Sequence, residues 1–130
     1  GGSKGVDRMG GEPVGNPKDV AAKNRVPMTL LPPSAAIEVA AVMRFGAEKY
    51  GPYNWRTTPI DAMVYIDAAL RHLAAYVDGE NAASDSGLSH ISHAASSLCI
   101  LIDAIACGTA RDNRPAKGQS AMLLKSHSGE

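Results

Sequence analysis

Residues 86–107 read SGLSHISHAASSLCILIDAIAC, and this stretch decides the fold. Leu88, Ile91, Ala95, Leu98, Ile102 and Ile105 recur at spacings of three and four. On a helix that spacing draws one apolar seam. His90, His93 and Ser97 fall on a different face, and the two histidines, three apart, are helical neighbours. Gly108 is placed to cap the C-terminus. The pattern predicts a helix from about Ser86 to Cys107.

Two more helices are legible upstream. Thr58-Pro59 with Asp61 is an N-terminal entry close to a capping box. Ile66, Leu70, Leu73 and Val77 then form an apolar stripe, with Asp67, Arg71 and Asp78 beside it, His72 on another flank and Gly79 as the stop. Earlier still, Pro32-Pro33 and Ser34 precede SAAIEVAAVMRF, which predicts a helix to about Tyr50, ended by Gly51-Pro52. Glu38, Ala41, Phe45 and Lys49 share a stripe of it. Residues 51–58, GPYNWRTT, read as a loop, and 79–86, GENAASDS, as an acidic turn. Three helices with short connections predict an all-α fold, a small helical bundle. Its core of Ala, Leu and Ile is modest, so oligomerisation is expected to complete it.

The expected organisation is a flexible arm at 1–26, a helical domain at 27–111 and a polar tail at 112–130. Gly1-Gly2-Ser3 resembles a tag scar and is set aside. Met122-Leu123-Leu124 in the tail could dock on a neighbour. Thirteen basic and thirteen acidic residues balance, which argues against a nucleic-acid partner. Read as a sequence, nothing resembles an 18-residue apolar span or a secretory segment, so no membrane and a cytoplasmic location are expected. Cys99 and Cys107, eight apart, are expected to be reduced.

Chemistry is carried by acids and imidazoles set among apolar residues. Glu38 and Asp67 each stand in an apolar helical stretch, and an unpaired buried charge is costly. Glu38, Asp67, His72, Asp85, His90 and His93 are the candidate metal ligands, suited to Mg²⁺ or Mn²⁺. Their plainer role is that of hydrogen-bonded core or helix-end residues. Lys49, Arg56 and Arg71 are candidate phosphate binders, or else solvated and ion-paired, as Asp67 with Arg71 at i,i+4 would be. Asn54 and Trp55 could recognise a base, although a loop Trp more often caps a core. No phosphate-binding P-loop, no GxSxG elbow and no zinc-deaminase signature is present.

Three segments carry a likeness: LLPPSAAIEVAAVMRFGAEKYGPYNW at 30–55, ALRHLAAYVDGE at 69–80 and SGLSHISHA at 86–94. Together they resemble a phage family described as dATP/dGTP diphosphohydrolases, placed near the MazG-like all-α nucleoside triphosphate pyrophosphohydrolases. The resemblance implies a metal-dependent helical homo-oligomer, dimer or tetramer. It implies cleavage of a (deoxy)nucleoside triphosphate, dGTP or GTP, to monophosphate and pyrophosphate with two or three divalent ions, within phage purine nucleotide metabolism. It assigns Glu38 to metal, Lys49 to phosphate, and Asn54 and Trp55 to nucleotide. Arg71 and His72 match its RH pair, and Asp85 stands where a Glu is expected. The general base is left between Glu38 and Asp67. A nucleotide- or partner-binding helical oligomer without catalysis, and a triphosphohydrolase, are the alternatives.

Overall fold

The computed structural model describes residues 16–129. The reading of the first fifteen residues, tag scar included, lies outside them. Two compact units divide the described residues, at 16–32 and 33–129. The first holds a short helix, α1 (Pro17–Ala22), and a 3₁₀ turn, Met28–Leu30. The Asn16 side chain accepts the Asp19 amide at 2.9 Å, and Pro17 fills the first helical position.

The second unit is built from α2 (Pro33–Tyr50), α3 (Ala62–Val77), α4 (His90–Cys107) and α5 (Ser120–Ser128). The all-α expectation holds. α4 is the central element and packs on both α2 and α3. A two-residue parallel pair, β1 (Ile60–Asp61) with β2 (Ala110–Arg111), was not legible in the sequence. It delays the start of α3, because the Ile60 amide donates to the Thr109 carbonyl instead of entering a helix. The start of α4 is likewise later than Ser86. Ser89 is the N-cap, its hydroxyl accepting the Ile91 and Ser92 amides, and Gly87 at φ 73° turns the chain just before it. α4 ends as expected, with Gly108 at φ 74°.

By length and composition α4 could cross a bilayer, its 18 residues averaging a hydropathy of 1.4. That corrects the reading that no such span exists. Its inward face is nevertheless polar: His90, Ser92, His93 and Ser96 are buried with Ala94, Leu101 and Ala104. Facing it on α3 is Ala69, 3% exposed. Small residues at this crossing let two backbones approach closely.

The apolar stripes face the other way. Leu70, Leu73 and Val77 on α3 are exposed, as are Ile91, Leu98, Ile102 and Ile105 on α4. The helical period was right, but the single chain buries alanine, serine and histidine and leaves the larger aliphatic residues outside. A small apolar cluster of Trp55, Ile60 and Ala104, with Met43, Tyr65 and Ile100 against it, closes the opposite end of the bundle.

Candidate active site

Three histidines converge where α3, the 79–89 turn and the start of α4 meet. His72 lies one turn beyond Ala69, and the close α3–α4 crossing brings it onto α4. Its ring stacks on His93, centroids 4.5 Å apart and planes 8° apart. Its Nδ1 is 2.8 Å from Nδ1 of His90. His90 Nε2 lies 2.6 Å from Oε1 of Glu80, and His93 Nε2 lies 2.7 Å from the Ser86 hydroxyl. The turn is held for this by its own backbone, with His90 N donating to Asn81 O at 3.0 Å and Ala83 N to Leu88 O at 2.9 Å.

His72 and His93 both line a cavity of about 900 Å³ between α2, α3 and α4. A volume of this order suits a small-molecule ligand. Lys49, Arg71 and Asp85 border the same space. Tyr50, Tyr53 and Asn54 line it as well. Tyr53 holds the left-handed conformation, φ 55°, which is strained for a residue with a Cβ. Lys49 Nζ sits 4.4 Å above the Phe45 ring. Arg71 pairs with Asp67 one turn away on an exposed face, a contact that contributes little in water.

Burial keeps both cavity histidines below the ordinary imidazole value. For His72, the neighbouring His93 and His90 add to that effect, and Asp85 opposes it. For His93, Asp85 again opposes, while His90 and Lys49 lower it further. The neutral imidazole, able to accept a proton, is therefore favoured near neutral pH.

The sequence-predicted residues separate into groups. His72, His93, Asp85, Lys49, Arg71 and Asn54 meet at the cavity. His90 is buried behind it, 6% exposed. Glu38 and Asp67 are exposed and lie outside the cavity lining. Trp55 and Arg56 border the cavity but are paired with Asp103, which lines it too. Trp55 Nε1 donates to Asp103 Oδ2 at 2.7 Å, and Arg56 clamps both oxygens of the same carboxylate at 2.8 and 3.0 Å. These bonds hold Asp103 down to about 2. On this geometry the indole and the guanidinium build the floor of the cavity.

Glu80, Ser86 and Asp103 were not singled out from sequence. The signal that marked Glu38 and Asp67, an acid in an apolar helical run, was equally present at Asp103 in CILIDAIAC.

Among the described residues no three of His, Cys, Asp and Glu are grouped to hold a metal ion. The histidine geometry agrees. Lone pairs of imidazole lie in the ring plane, so the stacked His72 and His93 rings cannot both aim at one ion. One nitrogen of each ring is already spent on His90 or Ser86. A resident divalent ion does not fit this arrangement within one described chain.

The sequence profile of the family described as "dATP/dGTP diphosphohydrolase, N-terminal" matches residues 15–114. A dATP/dGTP diphosphohydrolase of Salmonella phage PMBT28 is 33% identical over 79 residues, which cover 61% of this chain and 27% of that relative. The match thus spans about a quarter of the relative's length. No solved structure matches the chain. The profile match takes in α2, α3, α4 and every residue of the cavity, and the chain belongs to the dATP/dGTP diphosphohydrolase N-terminal domain family.

Proposed function

We propose that this chain hydrolyses a purine deoxynucleoside triphosphate, dATP or dGTP, between the α- and β-phosphates, releasing monophosphate and pyrophosphate. The observation that carries the reading is the cavity. It gathers the cations Lys49 and Arg71, the neutral imidazoles of His72 and His93, the Asn54 amide and two tyrosines around one space. Arg71 can exchange its exposed carboxylate partner for phosphate oxygens at little cost, and Lys49 adds a point charge. Asn54 offers a donor and an acceptor to a base edge, and a tyrosine ring offers a stacking surface. The name borne by the phage relative supports the substrate class.

Divalent cations enter this proposal as companions of the triphosphate, because the donors of one described chain do not converge on an ion. We further propose a homo-oligomer whose subunits cover one another's outward stripes on α3 and α4, in keeping with the extent of exposed Leu, Ile and Val there. The proposed setting is cytoplasmic purine nucleotide metabolism.

The test is product analysis. Purified chain is incubated with dATP or dGTP and Mg²⁺ or Mn²⁺ and followed by ³¹P NMR. Monophosphate with pyrophosphate is expected. Nucleoside with tripolyphosphate, or nucleotide binding with no product, refutes the proposal.

A further inference from the structure

We propose that Glu80 and His90 are positioning residues that fix the tautomer of His72, leaving His72 Nε2 as the base that takes the proton of the attacking water. This rests on the hydrolase reading above.

One chain of contacts links Glu80, His90 and His72, and its protons can be counted. Glu80 Oε1 and His90 Nε2 are 2.6 Å apart. An ionised carboxylate only accepts, so the proton belongs to His90 Nε2. His90 is 6% exposed and lies away from the cavity lining, and in the proposed relay it is neutral. A neutral His90 protonated at Nε2 has a bare Nδ1. That atom is 2.8 Å from His72 Nδ1, and such a contact between two nitrogens needs one proton between them. The proton must then be on His72 Nδ1, which leaves His72 Nε2 with an unshared pair. Of this connected pair of rings, His72 is the one that borders the cavity.

The same chain disposes of the proton once taken. Water oxygen bonds to the α-phosphorus as the bond from that phosphorus to the bridging oxygen breaks, and pyrophosphate leaves with the bond's electrons. The water proton goes to His72 Nε2. The proton shared by the two Nδ1 atoms then moves to His90, so the positive charge comes to rest beside the Glu80 carboxylate. The other groups facing this pair are Arg71 on α3, Asp85 in the turn and His93 on α4, with Lys49 of α2 acting on His93. Arg71 opposes positive charge on His72, and Asp85 favours it. Glu80 supplies a carboxylate in direct contact with His90, the ring on which the charge settles. It does so from an exposed position, with 61% of its side chain in solvent.

The test reads the tautomer directly. Long-range ¹H–¹⁵N spectra of the whole chain, assigned with His72→Gln and His90→Gln, are expected to show His72 protonated at Nδ1 and His90 at Nε2. In Glu80→Ala the His72 signature is expected to shift toward protonation at Nε2. Its kcat on dGTP is expected to fall at least about 10-fold with KM little changed, since a misdirected base loses part of a general-base contribution of about 10²–10⁴. Glu80→Asp is expected to recover part of both. His72 protonated at Nε2 in the unmodified chain overturns the relay while leaving any observed hydrolysis intact. An unchanged His72 tautomer in Glu80→Ala overturns the role of Glu80. Because the spectra need no turnover, failure of the hydrolase reading is seen separately, as absence of product.

Discussion

Ile102→Glu places a carboxylate in the middle of the outward stripe of α4. Ile102 is 68% exposed in the single chain, and Leu70, Val77 and Ile105 are 58%, 78% and 63% exposed. Fully burying such a side chain contributes about 1.5–3 kcal/mol. Each of the four thus leaves about 1–2 kcal/mol unused, or roughly 4–8 kcal/mol per chain, by the same measure. Two chains covering each other gain roughly 8–16 kcal/mol, of the size of the ~4–15 kcal/mol lost on association. Val64, Tyr76, Ile91 and Leu98, also exposed, enlarge the gain enough for a stable assembly. A glutamate at 102 loses one aliphatic contact per subunit and buries a charge. At about 1.4 kcal/mol per tenfold, the dissociation constant rises at least about 100-fold. Sedimentation velocity at micromolar concentration measures it. The unmodified chain is expected above its 13.5 kDa monomer mass. The variant is expected at monomer mass with an unchanged far-UV circular dichroism spectrum, since residue 102 contacts solvent in the isolated fold. An unmodified chain that sediments as a monomer refutes the reasoning, and so does a variant that stays assembled.

Lys49→Ala is expected to raise KM for dGTP about 10-fold or more, the scale of one charge-assisted phosphate contact, and steady-state kinetics would expose an unchanged KM. Glu38→Gln is expected to leave turnover on dGTP nearly unchanged, because Glu38 is exposed and lies outside the cavity lining, and a loss of about 100-fold would return Glu38 to the chemistry. His72 and His93 are held below the unfolded value of 6.5. As pH falls through that value the unfolded chain takes up protons first, so the stability they support is full above it and declines below it; a melting temperature that stays flat from neutral to about pH 5 contradicts this. The Asp103 carboxylate, held down to about 2, contributes a separate loss only at much lower pH. Removing divalent ions with EDTA is expected to stop pyrophosphate release without changing the melting temperature, and continued release would eliminate the cation-bound substrate.

The sequence announced this fold through punctuation and period. Pro32-Pro33, Gly51, Gly79 and Gly108 bracket the helices close to where the structure ends them. Period alone could not say which face turns inward. A seam of Leu and Ile reads as core, yet in the single chain Ala69, Ala94 and Ala104 take that place, because the close α3–α4 crossing leaves room for little more. The site was half visible. The HxxH spacing placed His90 and His93 on neighbouring positions, but their partners come from elsewhere: Glu80 ten residues before His90, His72 eighteen before it. Asp103 meets Trp55 across forty-eight residues. Contacts of that span depend on how helices cross, and no local pattern records them. Glu80 stood in a quoted motif without a role, directly after the Gly that stops α3, where an acid reads as a solvated turn.

The pairing of Ile60 with Ala110 and Asp61 with Arg111 acts as a buckle on the α3–α4 hairpin. The chain closes that hairpin covalently at the 79–89 turn, and the buckle closes it again where α3 begins and α4 ends, tightened by the Arg111–Asp61 ion pair at 2.7 Å. The histidine end is thus one side of a ring, and a shortened chain that stops at Gly108 would open the other side. A minimal version of the domain must run past Arg111, and the family profile, whose match ends at residue 114, runs just past the buckle.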